Sequence, residues 1–211
     1  MEKKRIDMPN SHDAMNAAQR AVKRIIDITG SATALFFLWP LILALVIMLK
    51  LQHNGPAIFS QERIGKGGKP FTIYKFRTMS KDTEKNGPQL VPHAEGVAST
   101  GLERFLREHH LDELPQLWNV LCGDMSIVGP RPERRFFIEK IMELDNRYPI
   151  IYEMRPGLTS EATLYNGYTD TMEKMLKRLE MDIHYLETRS LMGDFKIMMN
   201  TALSIVSGKK F

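Results

Sequence analysis

An uninterrupted apolar stretch near the N-terminus constrains this chain more than any other feature. The 22 residues from Ile28 to Leu49 carry no charge, and Asp27 and Lys50 border them. A helix of that length would extend ~33 Å, against a hydrocarbon core of ~30 Å. A signal peptide is not indicated, because the stretch begins late and basic residues follow it in place of a cleavage site. We therefore expect this segment to enter a membrane.

Pro40 and the flanking charges distinguish a spanning helix from a re-entrant one. Proline removes a backbone donor and clashes with the preceding turn, so we expect the helix to kink or break at Pro40. Lys and Arg outnumber acidic residues on both flanks, and such an excess is typical of cytoplasmic flanks. The sequence favours a helix–break–helix that enters and leaves by the same leaflet, and a kinked span is the alternative.

The rest of the chain has the composition of a folded domain. The 211 residues include 29 Lys and Arg against 25 Asp and Glu, which gives a net charge of +4. This length suffices for one domain with its own core. The single cysteine, Cys122, excludes an internal disulfide framework and fits a reducing compartment. No nucleic-acid-binding module is visible, so we assign the basic residues to phosphates and lipid headgroups.

We predict an α+β fold, that of a monotopic membrane protein with surface amphipathic helices and a small, mainly helical cytosolic domain. Two β-prone stretches flank a glycine turn and predict a β-hairpin, and helical spacing dominates after residue 102. The predicted segments are a basic amphipathic segment over 1–24, a re-entrant helix over 25–51, a catalytic domain over 52–211, hairpin strands over 57–63 and 69–76, and helices over 133–146, 172–190 and 195–206.

Two adjacent carboxylates, Asp112 and Glu113, are the first candidates for chemistry. Pro115 is acceptable in the first turn of a helix, which places Asp112 near the N-cap and Glu113 in the first turn. Ordinary helix capping accounts for both residues. The alternative is catalysis, because a carboxylate can attack phosphorus and a second carboxylate can help to hold Mg²⁺.

Basic residues that could neutralise a diphosphate accompany these carboxylates. Arg131 lies between Pro130 and Pro132, so its backbone is stiff and little entropy is lost in aiming its guanidinium. A rigid loop with a solvated arginine is the plain alternative. The full set of candidates is Lys75, Arg77, Arg107, Arg131 and Arg155.

Six short motifs, together with Pro40, carry a resemblance to a known family. In this order and spacing they resemble the small monotopic phosphoglycosyl transferases, which are bacterial sugar transferases. The resemblance runs from about residue 20 to residue 206. The motifs are QERIG at 61–65, YKFRTM at 74–79, LDELPQL at 111–117, GDMS at 123–126, VGPRP at 128–132 and RPGLT at 155–159.

The resemblance implies an enzyme at the cytoplasmic face of the bacterial inner membrane. Such enzymes move a sugar 1-phosphate from a UDP-sugar to undecaprenyl phosphate, release UMP and use Mg²⁺. By resemblance, Asp112 is the nucleophile of a covalent phosphosugar intermediate, and Glu113 is its partner near the metal. Arg131, in the Pro130–Pro132 element, would lie at the uridine end of the donor.

The resemblance also matches residues of less certain role. Pro40 matches the break of the re-entrant helix, and Lys75, Arg107, Arg155 and Asp182 match other polar positions of the family's active site, while Arg77 is added for its charge alone. After RPGLT the chain departs from the family: it reads SEATLYN at 160–166, where many members have Gly-Trp-Ala-Gln-Val-Asn. This departure leaves the donor sugar open.

Two functions of other classes compete with the transferase. A membrane-anchored scaffold would bind anionic headgroups through its basic faces, and Asp112 would then be only a cap. A metal-dependent phosphohydrolase would use the same carboxylates on water. The sequence also leaves open whether the chain forms a homodimer, and which surface glycan it would initiate: exopolysaccharide, capsule, O-antigen or a glycoprotein glycan.

Overall fold

The computed structural model describes residues 12–52, 55–78, 100–167 and 169–207. Helices and short strands mix in these ranges, which confirms the α+β class. The helices are α1 (Ala17–Gln52), α2 (Gly101–Glu108), α3 (Gln116–Cys122), α4 (Arg135–Leu144), α5 (Glu161–Asn166), α6 (Met172–Thr188) and α7 (Leu191–Ser207), and the strands are β1 (Ile58–Ile64), β2 (Pro70–Phe76), β3 (Ser126–Val128) and β4 (Gly157–Thr159).

The apolar stretch lies within a single helix. The 36 residues of α1 continue through Pro40, so the two separate half-helices predicted for a re-entrant segment are not observed. Proline removes only one donor from the ladder, and the hydrogen bonds on both sides of it can continue the helix. The predicted boundary at residues 24 and 25 is likewise not a helix end, because α1 begins at Ala17. Residues 1–11 of the predicted N-terminal segment lie outside the described residues.

Both ends of the apolar stretch contact the same folded domain. At one end, the buried Asp27 accepts hydrogen bonds from the Ser126 hydroxyl at 3.1 Å and the Ile127 amide at 2.9 Å. At the other end, Leu45 and Leu49 are buried in a cluster with Ala57, Phe76 and Leu106. Between these contacts, large apolar side chains stay exposed, among them Phe36, Phe37, Trp39, Leu41 and Leu43. By length and composition, α1 could cross a membrane.

The predicted hairpin is confirmed. Strands β1 and β2 pair antiparallel from Ile58 opposite Phe76 to Ile64 opposite Pro70. A 3₁₀ turn at Lys66–Gly68 joins them, and Gly67 and Gly68 have φ near +70°. Glycine adopts this left-handed conformation without the steric cost of a Cβ, which explains the glycine-rich turn.

A second sheet, made of β3 and β4, is not visible in the sequence. These parallel strands are three residues long, which is too short to show an alternating pattern. Directly after β3 the chain crosses β4 at close range. The Gly129 amide donates to Thr159 O at 3.0 Å, and the Gly157 amide donates to Pro130 O at 2.8 Å. A Cβ on Gly157 would lie 2.2 Å from the Gly129 nitrogen. This crossing fixes the path of the chain into Arg131.

The main core lies between α4, α6 and the 3₁₀ segment Tyr148–Glu153. Apolar side chains on the inner faces of α4 and α6 meet there. The helices predicted over 133–146 and 172–190 are therefore confirmed, with slightly shorter bounds. Buried members of this cluster include Phe137, Ile138, Ile141, Tyr148, Ile151, Met175, Leu179, Ile183 and Leu186.

Replacing Gly157 by alanine tests the crossing of the two strands. We expect Gly157→Ala to lower the melting temperature clearly, because overpacking typically costs about 1–3 kcal/mol and backbone atoms cannot move aside as a side chain can. Gly101→Ala is the matched control, because nothing lies within 4 Å of its added Cβ. Melting curves of both purified variants in the same detergent check this, and equal melting temperatures would contradict the close crossing.

Candidate active site

Glu113 joins two cations from distant parts of the chain. Its Oε1 accepts a hydrogen bond from the Lys75 ammonium at 2.6 Å and another from the Arg131 guanidinium at 2.9 Å. Lys75 comes from β2 and Arg131 from the turn after β3, while the Glu113 side chain is buried. These three charged groups form an ion triad, and we use that name below.

The charges of the triad stabilise each other. Burial by itself would raise the pKa of Glu113, but Arg131 and Lys75 outweigh burial and hold the pKa of this carboxyl well below its usual range. The Glu113 charge in turn raises the pKa of Arg131 above its ordinary value. Glu113 is therefore ionised at any physiological pH.

The neighbouring carboxylate of Asp112 has a different environment. Burial, followed by the negative charge of Glu113, raises the pKa of Asp112 to about 6, although Lys75 and Arg131 oppose the shift. At neutral pH, the Asp112 carboxyl is thus ionised in most molecules. Within the part of the chain that the structure describes, no side chain donates a hydrogen bond to it. A poorly solvated, unpaired anion has the properties of a nucleophile.

The two carboxylates lie in a 3₁₀ turn over Leu111–Glu113, directly before α3. The prediction that Asp112 caps the following helix is wrong, because α3 begins only at Gln116 and neither carboxylate caps it. Pro115 explains the difference: it has no amide to donate to Leu111 O, and the Leu114 amide makes that bond instead, in the 3₁₀ pattern. His110, with φ of 53°, begins the turn.

Beneath Arg131 lies a buried charge cluster that the sequence reasoning missed. Glu133 binds Arg178 through Oε1, and its Oε2 accepts from Arg63 at 3.4 Å. Burial tends to raise the pKa of Glu133, but Arg178, Arg63 and Arg131 hold it below its usual value. A glutamate following a Pro-Arg-Pro element gives no sequence signal for such a role.

Asp182 lies in this buried cluster and makes no contact with the triad among the described residues. Burial raises its pKa to about 7, while Arg178 opposes the shift and Glu133 adds to it. Near neutral pH, this carboxyl is therefore protonated in a substantial fraction of molecules. Asp182 thus interacts electrostatically with Arg178 and Glu133, and its direct binding of substrate stays a prediction.

In the described ranges, the other predicted basic residues make no hydrogen bond or ion pair with the triad. Arg155 donates from Nε to Gly123 O at 2.9 Å, at the end of α3 remote from Glu113. Arg107 lies in the last turn of α2. One terminal nitrogen of Arg77 is buried with no hydrogen-bond partner within residues 55–78 and the other described ranges. Their roles stay predictions.

The basic end of α1 is bound to the elements that carry the site. The Lys23 ammonium donates to Asp194 of α7 at 2.6 Å. The Arg24 guanidinium donates to Val120 O at 2.7 Å and Leu121 O at 3.0 Å, two carbonyls in the last turn of α3. Together with the hydrogen bonds that Asp27 of α1 accepts from β3, these bonds fix α1 relative to the ion triad.

The site has two carboxylates for a metal ion and no larger acidic cluster. In the described ranges, no three His, Cys, Asp or Glu residues are grouped to hold a metal. Mg²⁺ is commonly held by one or two carboxylates together with the phosphates of a substrate. Asp112 and the second oxygen of Glu113 therefore fit a Mg²⁺ shared with a diphosphate, and Mg²⁺ stays a prediction.

Comparison with protein families identifies the chain. The family model of the bacterial sugar transferases matches residues 18–208. The chain belongs to this family. The matched region contains α1 from its second residue onward, the ion triad and Asp112, so the geometry described above is that of a bacterial sugar transferase, as the resemblance predicted.

Curated relatives carry names that specify substrates. A UDP-N-acetylgalactosamine-undecaprenyl-phosphate N-acetylgalactosaminephosphotransferase of Aeromonas hydrophila is 36% identical over 89% of this chain and 44% of its own length. A UDP-glucose:undecaprenyl-phosphate glucose-1-phosphate transferase of Caulobacter vibrioides is 42% identical over 88% of this chain and 70% of its own. The exopolysaccharide production protein PSS of Rhizobium leguminosarum is 35% identical over 90% of this chain and 98% of its own. The chain thus spans less than half of the Aeromonas relative.

Proposed function

We propose that this protein is a phosphoglycosyl transferase that moves a sugar 1-phosphate from a UDP-sugar to undecaprenyl phosphate and releases UMP. The observation that carries the proposal is the Asp112 carboxylate, which no side chain of the described ranges pairs, beside the ion triad of Glu113, Lys75 and Arg131. The names of the Aeromonas and Caulobacter relatives support both substrates, and the Rhizobium relative is named for exopolysaccharide production.

The chemistry follows in two displacements. In the first, an Asp112 oxygen attacks the sugar-bearing β-phosphorus, the bond from that phosphorus to the bridging oxygen breaks, and UMP leaves with the electron pair. In the second, a phosphate oxygen of undecaprenyl phosphate attacks the same phosphorus and the Asp112 carboxylate is released. Two steps allow UMP to depart before the lipid arrives, so both bulky substrates need not share the pocket.

The ion triad supplies the electrostatics of this reaction. Its two cations on a single carboxylate oxygen leave a surplus positive charge next to Asp112, which attracts a diphosphate and stabilises charge that develops on the leaving phosphate. Because Glu113 pairs both cations before any substrate arrives, their positions are fixed in advance. A Mg²⁺ held by Asp112 and Glu113 would neutralise further charge on the diphosphate.

We further propose that the chain is monotopic, and that in the membrane α1 bends at Pro40 without ending there, so that it enters and leaves by the cytoplasmic leaflet. Asp27 and Leu49, at opposite ends of the apolar stretch, both contact the same domain. A helix that crossed the bilayer would separate these ends by about 30 Å of hydrocarbon. Basic flanks on both sides of the stretch support a cytoplasmic location for both ends. This arrangement would place Asp112 near the boundary between lipid and water.

Replacing the proposed nucleophile tests the function. We expect Asp112→Asn to reduce UMP release at least ~10³-fold, because a neutral amide cannot attack phosphorus. The assay combines the full-length protein, a UDP-sugar panel, undecaprenyl phosphate and Mg²⁺. Asp170→Asn, which changes an exposed carboxylate paired with Lys174, should keep full activity. Normal turnover by Asp112→Asn would contradict the proposal, and free sugar phosphate formed without lipid would indicate a hydrolase.

Cysteine labelling tests the membrane topology. In a Cys122→Ser background, single cysteines replace Ala18, before the apolar stretch, and Lys69, after it; both positions are exposed. We expect a membrane-impermeant maleimide to label neither cysteine in intact spheroplasts and both in inside-out vesicles. Labelling of one position from outside and the other from inside would establish a span and contradict the monotopic proposal.

A further inference from the structure

A fully buried amide on α3 binds the strand that carries Lys75. The Asn119 side chain accepts a hydrogen bond from the Tyr74 amide at 3.2 Å and donates one to Thr72 O at 2.7 Å. It has no exposed surface, so water cannot replace either bond. β2 therefore pairs with β1 along one edge and is bound by Asn119 along the other.

These two bonds repeat the pattern of a parallel strand. In a parallel pair, one residue bonds to the two residues that flank its neighbour on the adjacent strand. Asn119 does the same with its side-chain amide, because Thr72 and Tyr74 flank Ile73. The Ile73 side chain is buried in a cluster with Val120 and Met125 of the α3–β3 region. Asn119 thus fixes the register of β2 against α3.

The register of β2 decides where Lys75 points. Side chains two apart share a face of a strand, so Lys75 lies on the same side of β2 as the buried Ile73. A slip of one residue would turn Lys75 to the opposite face. In the observed register, its ammonium is 2.6 Å from Glu113.

The main chain of Asn119 closes the helix that follows Glu113. Its carbonyl accepts hydrogen bonds from the amides of Gly123, Asp124 and Met125 at 3.0 to 3.2 Å, which closes the end of α3. The opposite end of α3 follows the turn that contains Glu113. Asn119 therefore bonds to the strand that carries Lys75 and to the C-terminal end of the helix that follows Glu113.

We infer that Asn119 is a positioning residue, which holds Lys75 in bonding distance of Glu113. This inference rests on the proposed function, because the Lys75–Glu113 pair is its electrostatic core. Asn119 acts through Lys75 and touches no substrate. A purely structural amide would stabilise the fold equally whether or not residue 75 carries a charge, and this difference makes the inference testable.

Asn119→Asp is the variant for the test. It keeps the size and the oxygen that faces Tyr74, but it replaces the donor to Thr72 by an oxygen and sets a negative charge near the Asp124 carboxylate, which is 3.3 Å from the present amide nitrogen. We expect UMP release in a single turnover to fall about tenfold or more in the wild-type background, and less than about twofold in Lys75→Ala. If Asn119→Asp does not fold, Asn119→Ser replaces it in the same cycle.

Val120→Ala is the matched control. Val120 is fully buried, is next to Asn119 in α3 and packs against Ile73, but it makes no hydrogen bond to β2. We expect Val120→Ala to change single-turnover UMP release by the same factor in the wild-type and Lys75→Ala backgrounds. Equal factors for Asn119→Asp in the two backgrounds would overturn the inference.

Acetylation of Lys75 gives a readout that does not depend on activity. An ion-paired amine reacts slowly with acetic anhydride, so Asn119→Asp should raise the labelling of Lys75 in peptide mass spectra, whereas Val120→Ala should not. Unchanged labelling in Asn119→Asp would refute the positioning role. An inactive wild type would instead count against the proposed function, since the labelling experiment still reports on Asn119.

Discussion

The bonds from Lys75 and Arg131 to a single oxygen of Glu113 are the interaction on which the rest of the site depends. A buried carboxylate is costly unless it is paired, and here two cations from separate elements pair it. Each cation needs its element in place: Lys75 needs the register of β2, and Arg131 needs the crossing of β3 and β4. The pair of bonds therefore links three parts of the chain that are far apart in sequence.

The same interaction helps to give two adjacent carboxyl groups very different pKa values. Glu113 takes both cations and stays ionised with a lowered pKa, while Asp112 has no side-chain donor among the described residues and has its pKa raised to about 6. Environments that shift two neighbouring titratable groups apart are typical of sites where the groups have different roles. Glu113 is suited to hold cations, and Asp112 is suited to attack.

Helix α1 is bonded to the elements that carry the site, so it is not only a membrane anchor. Lys23, Arg24 and Asp27 bind α7, the end of α3 and β3 in turn. Bonds from α1 thus reach the elements on either side of Arg131 and Glu113. This arrangement would couple the depth of the helix in the bilayer to the position of the site, as a lipid acceptor and a water-soluble donor would require.

Long patterns made the helices and the hairpin predictable, and the six motifs together singled out Asp112 and Glu113 as candidates. The parallel pair β3–β4 was missed because three-residue strands carry no pattern. The helix start at Asp112 was wrong because the missing amide of Pro115 favours a 3₁₀ turn. The charge cluster of Glu133 and Arg178 depends on contacts between residues 45 apart, which no local rule predicts. The uninterrupted α1 shows that one proline need not end a long helix.

Mass spectrometry of the protein quenched after mixing with a UDP-sugar alone is the most direct test of the proposed chemistry. The account predicts a covalent sugar-phosphate adduct on the peptide that contains Asp112, formed without undecaprenyl phosphate and lost when that lipid is added. A preparation that transfers sugar phosphate at a normal rate, yet never shows this adduct on Asp112, would contradict the two-step mechanism.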